Sequence, residues 1–422
     1  MICGNPCRQN LVWRVGRRAM QQIKPSGRLM LATGIVGAAF CLRLVFASLS
    51  VRLPEVVHET GMTAWQVGLL TTLPVLCLGL CAPLAPRLAH RLGTERALFG
   101  ALALIGLGTA GRALGAVWAL FAFSILAGAA IAIANVLLPT LVKRDFEDRT
   151  AIVTGAYVTA ISGGAALAAA VTVPIETALG GGWRVGLSIW AAPVVGALLL
   201  WSLQLGRKVE RDDLVVEPVV GLWRDRLAWS VALFMGLQSA LAFCVLGWLA
   251  PILRERGLDA VTAGLVLSVL IVVQLATSLT VPSLATRKPA QSMIAVVLSV
   301  AAAAGLLGLL LAPLSGVWVW AVIQGLAQGG LFALALTMVL LRSANSHVAS
   351  HLSGMAQSVG YVPAAFAPLS VGLVRQWTGG FQAVAGLVVV IGAGLVITGL
   401  IAGRASLVSA QVSPTSIKLA RA

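Results

Sequence analysis

Acidic residues are scarce in this chain, with 14 Asp and Glu against 30 Lys and Arg in 422 residues. Ionic side chains make up 10% of the sequence, whereas a water-soluble domain uses roughly a quarter to wet its surface. A soluble globular fold is excluded on that ground. No GxxxxGK[ST] string occurs, so no nucleotide-driven motor is visible. The GxGxxG match at Gly106 to Gly111 has no strand before it and lies inside an apolar run, which argues against a dinucleotide site. Cysteine supplies no disulfide frame. Cys3 and Cys7 fall in a basic stretch and Cys41, Cys77, Cys81 and Cys244 in apolar runs, where reduced, packed thiols are expected. No motif implies a cofactor or a metal.

What is abundant is apolar sequence: 59% of residues are hydrophobic, mean hydropathy is +0.95 and there are 45 glycines, a residue that membrane helices tolerate well. At about 20 residues per span, the runs near 29–50, 64–84, 96–113, 117–141, 150–174, 184–205, 227–250, 261–284, 289–312, 316–341, 350–373 and 380–403 predict twelve membrane helices. The expected fold class is an all-α integral membrane protein of two six-helix bundles, 29–205 and 227–403. A cytoplasmic basic tail (1–28), a central loop (206–226) and a C-terminal tail (404–422) flank them. The first thirty residues hold Arg8, Arg14, Arg17, Arg18, Lys24 and Arg28 without an acid and lead into a run lacking a cleavage site, so they read as an uncleaved tail.

The net charge of +16 sits between the apolar runs and needs no nucleic acid to explain it. Of the 30 basic residues, 23 fall in the tails and alternate loops and six on the opposite side: Arg52, Arg112, Arg184, Arg254, Arg256 and Arg375. Basic residues mark the cytoplasmic side. Both termini of a multi-pass membrane protein are therefore expected there.

Arg43 belongs to neither set. It lies within the first run, in AAFCLRLVFASL. A guanidinium within a bilayer costs about 2.5–3.5 kcal/mol on insertion scales, so it should face a cavity or a partner, or else snorkel to the interface. None of the 14 acids falls in the middle of a run; Glu55 and Glu59 read as lying beyond the first run's end and Glu176 as lying in the loop after the fifth. An anionic ligand is then the natural partner for Arg43, whose planar donor fork suits small oxyanions and carboxylates. The other mid-run polar residues are neutral: Asn135, Gln238, Gln274, Gln324, Gln328, Gln357 and Tyr361. They read equally as interhelical glue or as cavity lining. Gln357 and Tyr361, four apart, share a helix face. The spacings Gly111 to Gly115 and Gly325 to Gly329, and ISGGAALAAA in the fifth run, read as close helix contacts.

Twelve runs split by a charged loop resemble the major facilitator superfamily. In LAHRLGTER after the second run, Arg91, Gly93 and Arg96 match that superfamily's loop motif, with His90 where an acid usually stands. Within it, LRLVFASLSVRLPEV, LAPRLAHRLGTERAL, AGRALG, NVLLPTLVKRDFEDRT, FMGLQSALAFCVLGWLAPILRERGLDAVTAGLVLS and LSGMAQSVGYVPAAFAPLSVG resemble the cyanate and 2-nitroimidazole transporter family. The chain departs from it at Phe243 and Cys244, where relatives often carry Tyr. The resemblance implies a carrier of the bacterial inner membrane, not an enzyme, for a small anion or small polar heterocycle, with Arg43 matching the family's first-helix arginine.

Together these readings lead to a monomeric secondary carrier with a mid-membrane site exposed alternately to each side. Arg43 would hold the charged end of the cargo, with Asn135, Gln238, Gln274, Gln328, Gln357 and Tyr361 supplying hydrogen bonds. Arg91, Gly93, Arg96, Lys143, Arg144, Asp145 and Arg149 are candidates for the cytoplasmic gate. Expected partners are the small, anionic solute and the lipid bilayer. With no mid-run carboxylate or His, coupling is left to a proton on the cargo, to anion exchange or to uniport. Competing readings are an exporter of neutral or weakly basic drug-like compounds and a non-transporting membrane sensor.

Overall fold

The computed structural model describes residues 25–146, 149–206, 219–287 and 289–412. Most of the expected N-terminal tail and central loop, and the end of the C-terminal tail, lie outside them. Fifteen α-helices are described: α1 (Pro25–Cys41), α2 (Leu44–Thr60), α3 (Ala64–Leu80), α4 (Leu84–Leu92), α5 (Thr94–Gly111), α6 (Val117–Asp145), α7 (Thr150–Leu179), α8 (Gly182–Ser188), α9 (Ala191–Ser202), α10 (Arg226–Glu255), α11 (Ala260–Thr286), α12 (Ser292–Leu311), α13 (Val317–Leu341), α14 (Ser346–Thr378) and α15 (Val384–Ala402). Among the described residues, eleven helical segments are long and apolar enough to cross a membrane. The pair α3 and α4, bent by 61°, makes a twelfth span. Span 1 is α1 with α2, span 6 is α8 with α9, and α10 to α15 are spans 7 to 12. An even count returns both ends to one face, called here the terminal side.

Helix ends are set by local chemistry. Asp225 accepts from the Leu227 and Ala228 amides at the start of α10, and Asp259 from Thr262 at the start of α11, satisfying donors that a first turn leaves open. Burial alone would raise the Asp225 carboxyl, but amide hydrogen bonds, including one from Ser409 at 2.6 Å, hold it below the ordinary carboxylate range. That bond and the antiparallel pairing of β1 (Val219–Val220) with β2 (Gln411–Val412) tie the central loop to the C-terminal segment.

With so few acids, several arginines serve helix carbonyls instead. Arg256 donates to Leu309 and Ala312 at the end of α12, and Arg342 donates to Ala402 at the end of α15 at 2.8 Å. A cation on the last carbonyls complements the negative end of the helix dipole. Arg342, one of the 23 basic residues counted to the tails and alternate loops, is only 3% exposed and serves as a buried cap.

Spans 1–6 pack chiefly on one another, as do spans 7–12. The two sets meet through equivalent pairs, span 2 on span 11 and span 8 on span 5. Glycine makes both approaches possible. A Cβ on Gly68 would stand 3.1 Å from the Leu369 Cα, and one on Gly264 only 2.3 Å from the Ala169 carbonyl oxygen. Ser50 donates to the Gly247 carbonyl at 3.3 Å, joining positions 197 residues apart on spans 1 and 7. Gly325 and Gly329 likewise seat α13 against the Leu270 and Gln274 carbonyls of α11. Gly115 differs from the sequence reading: it ends a short 3-10 turn at φ 75°, where an L side chain is disfavoured, and makes no helix-to-helix face.

Candidate functional site

Span 1 is broken between Cys41 and Leu44, although no Pro or Gly lies at the break. Arg43 adopts φ −116° and ψ 0°, in the sparsely populated bridge region where many active-site residues sit. Tertiary contacts hold the break. A Cβ on Gly164 of α7 would lie 2.1 Å from the Phe40 carbonyl oxygen, so the glycine admits span 5 against the last turn of α1. On the far side, Arg112 donates from Nη1 to the Val45 carbonyl at 2.9 Å. Irregular backbone at membrane depth is tolerated where it lines a cavity, and the Arg43 side chain does line one.

That cavity is about 330 Å³ and lies between spans 1, 2, 4 and 5 of one set and 7, 8, 10 and 11 of the other. The structure brings all seven sequence-nominated site residues to it: Arg43 and Asn135 from the first six spans, and Gln238, Gln274, Gln328, Gln357 and Tyr361 from the last six. Gln324, equally central in its run, does not line it and keeps both amide atoms buried without a hydrogen-bond partner among the described residues. Tyr157, Ser162, Ser239 and Ser278 also line the cavity and were missed. Both tyrosines of the chain therefore face one space, a convergence the sequence hints at only through their rarity.

Electrostatically the cavity is simple. Among the described residues no Asp, Glu, Lys or His lines it, which leaves Arg43 as its single formal charge. Arg43 does not snorkel outward but lines the cavity together with Tyr361. The break adds the amino end of α2, whose opening amides carry partial positive charge, beside Arg43. Across the space, Gln328 donates its amide to the Gln238 Oε1 at 3.1 Å, and Gln238 donates to the Ser239 hydroxyl at 2.7 Å. One set of spans thus offers a cation and the other a connected amide surface.

The exposed lining residues Asn135, Pro139, Leu336, Gln357 and Ser358 lie toward the terminal side. On the opposite side the sets are joined by polar links as well as by glycine packing. Arg254 of span 7 pairs with Glu55 of span 1, and Gln376 of span 11 accepts from the Trp65 amide at 3.0 Å. Arg52 pairs with Glu176 at 2.5 Å and lies 3.5 Å from Glu55. Glu176 is not in a loop, as the apolar-run boundaries imply, but inside α7, and Arg52 is buried with it.

The gate candidates all lie on the terminal side of the first six spans. Arg91, Arg96, Lys143 and Arg149 are exposed. Arg144 pairs with Asp145 at 2.7 Å and with Glu95, which is buried, at 2.6 Å, joining span 4 to span 3 rather than one set to the other. Gly93 turns the chain between α4 and α5 at φ 88°.

Arg112 corrects a second expectation, since it was assigned to an outer loop and is fully buried. Its Nε and Nη2 have no hydrogen-bond partner among the described residues. Taking a charge out of water carries a penalty of several kcal/mol per ion unless pairing and hydrogen bonds repay it. Arg112→Met is accordingly expected to melt no lower than the native protein while weakening ligand-induced stabilisation, because Val45 and the adjoining break lose their anchor. Thermal melts with and without ligand read both effects.

The profile of the Major Facilitator Superfamily matches residues 35–368. The chain is 37% identical over 381 residues to the 2-nitroimidazole transporter of Escherichia coli strain K12, covering 89% of this chain and 96% of that one. It is 29% identical over 343 residues to the cyanate transport protein CynX of the same organism, covering 81% and 88%. In three dimensions it superposes on the D-xylose-proton symporter with a TM-score of 0.69 at 14% identity, covering 91% and 98%. With twelve spans, a central cavity shared by both sets and a family match across most of its length, this chain belongs to the Major Facilitator Superfamily and is a multi-pass membrane transporter of small solutes.

Proposed function

We propose that the protein is a secondary carrier of a small anion, in which Arg43 binds the charged end of the cargo and the two sets of spans rock about it to expose the site alternately. The observation that carries this reading is that Arg43 is the cavity's single formal charge, set in a helix break with no protein anion beside it. A buried guanidinium without a counterion is costly, and a cargo anion removes that cost on binding. Loading also bridges the sets, because the amides of Gln238, Gln274, Gln328 and Gln357 stand across from Arg43. With 23 of 30 basic residues on the terminal side, that side is cytoplasmic in this reading, and the cavity faces inward. The membrane is the bacterial inner membrane. The relatives' names support a small cargo: cyanate is an anion, and the nitro group of 2-nitroimidazole presents two coplanar oxygens to which an arginine fork can donate.

The second reading, export of neutral heterocycles, is favoured by one observation, the predominance of uncharged amides in the lining. The two separate on a single substitution. Arg43→Gln is expected to weaken anion binding about 10- to 100-fold, the loss of one charge-assisted contact at about 1.5–3 kcal/mol. Thermal shift and proteoliposome flux with cyanate, acetate and benzoate as probes read that loss. Equal stabilisation of native and Arg43→Gln proteins by neutral compounds, with no response to anions, would replace the anion reading by the exporter.

A further inference from the structure

The size and walls of the cavity narrow the cargo beyond its sign. An apolar cavity of about 150 Å³ holds benzene, and a water molecule takes about 30 Å³ of liquid. The 330 Å³ here, entrance included, has room for a six-membered ring with a carboxylate and its hydration. The walls agree with the volume. Aromatic residues form 6% of the chain, yet Phe46, Tyr157, Phe243, Phe332 and Tyr361 line this one space. No tryptophan is among them, although Trp is the commonest aromatic in the sequence. The selection therefore does not follow from abundance.

Placement matters as much as number. Phe243 and Tyr361 meet edge to face with centroids 6.2 Å apart and planes at 74°, within the range of favourable ring pairs. Arg43 lines the same cavity as this ring pair. The cationic end of the site and this aromatic wall thus share one space, and they belong to opposite sets of spans. A flat ring carrying a carboxylate can meet both at once. A saturated ring of equal charge is thicker and offers no π face or positive edge.

Resting on the anion-carrier reading, we infer that the cargo class is a monocyclic aromatic or heteroaromatic carboxylate, with Phe243 and Tyr361 determining the preference for a flat ring. The test compares benzoate, cyclohexanecarboxylate, acetate and 2-nitroimidazole as ligands of the purified full-length protein, by thermal shift and equilibrium binding. Benzoate is expected to bind about 3- to 10-fold tighter than cyclohexanecarboxylate, the effect of one or two aromatic contacts, and tighter still than acetate. Phe243→Leu and Tyr361→Leu should bring the benzoate to cyclohexanecarboxylate ratio close to one, Tyr361→Phe should retain it, and Arg43→Gln should weaken both acids alike. Equal binding of benzoate and cyclohexanecarboxylate by the native protein overturns the ring preference while leaving the anion carrier standing. Tighter binding of 2-nitroimidazole than of benzoate overturns the carboxylate in favour of a neutral ring. Failure of every acid to bind removes the anion reading itself and this inference with it.

Discussion

Arg52→Gln is expected to destabilise the protein by about 3–5 kcal/mol, the cost of stranding a buried charge by deleting its partner. Glu176 is 6% exposed, and its Oε1 lies 2.5 Å from the Arg52 guanidinium. Its second oxygen already has no hydrogen-bond partner among the described residues and packs over Gly186, where a Cβ would come within 2.5 Å of it. The carboxylate therefore has no alternative donor at hand. The double replacement Arg52→Met with Glu176→Met removes both charges together and should recover most of the loss, as buried pairs exchanged for apolar chains commonly do. Melting in detergent decides the matter. A single variant that melts with the native protein would mean that the pair contributes little in this setting.

Gly264→Val is expected to act on conformation rather than on binding. Its Cβ would stand 2.3 Å from the Ala169 carbonyl oxygen, backbone that cannot swing aside, so spans 5 and 8 must separate. Overpacking of this kind costs about 1–3 kcal/mol, enough to move a two-state balance by about 5- to 100-fold. Gly68→Val strains the equivalent contact of span 2 with Leu369. Both variants should populate a form opened on the side away from the termini, with flux falling to about a tenth or less. A cysteine placed at Ser50, where the sets touch, should then react with a membrane-impermeant maleimide added from that side. Native-like labelling and flux in both variants would show that this face does not act as the closing surface.

Much of the architecture was legible because the bilayer imposes it. A span must satisfy its backbone internally and present apolar side chains, so hydropathy alone locates twelve. Hydropathy does not locate where those helices end. The fifth run, cut short of its first charge, stops before Glu176, yet α7 continues to Leu179; the third run ends around Arg112, as at a loop, yet that side chain is fully buried while Leu114 of the same turn is exposed. Helices of 30 residues such as α7 and α10 outrun the hydrocarbon core, and Glu176 near the end of one and Arg254 near the end of the other pair with Arg52 and Glu55 within the protein. The break at Arg43 left no local signal either, since its causes are a glycine on span 5 and an arginine after span 3.

The site was legible for a different reason. A polar group deep in an apolar run must find a cavity or a partner, and Arg43, Asn135 and four glutamines find the same one. That rule cannot rank them. Gln324 satisfies it on sequence and lies elsewhere, while Tyr157 and the lining serines were passed over because hydroxyls are common in membrane helices.

The solitary charge of the cavity has an electrical consequence. A carrier that swings an empty Arg43 through the membrane moves one positive charge, whereas the same movement with a monovalent anion bound moves none. Voltage then acts on the unloaded stroke alone, at about 2.3 kcal/mol for each 100 mV if the whole potential falls across the site. If the protein rocks as proposed, a cell interior held negative would draw the vacant arginine inward and favour one doorway between turnovers.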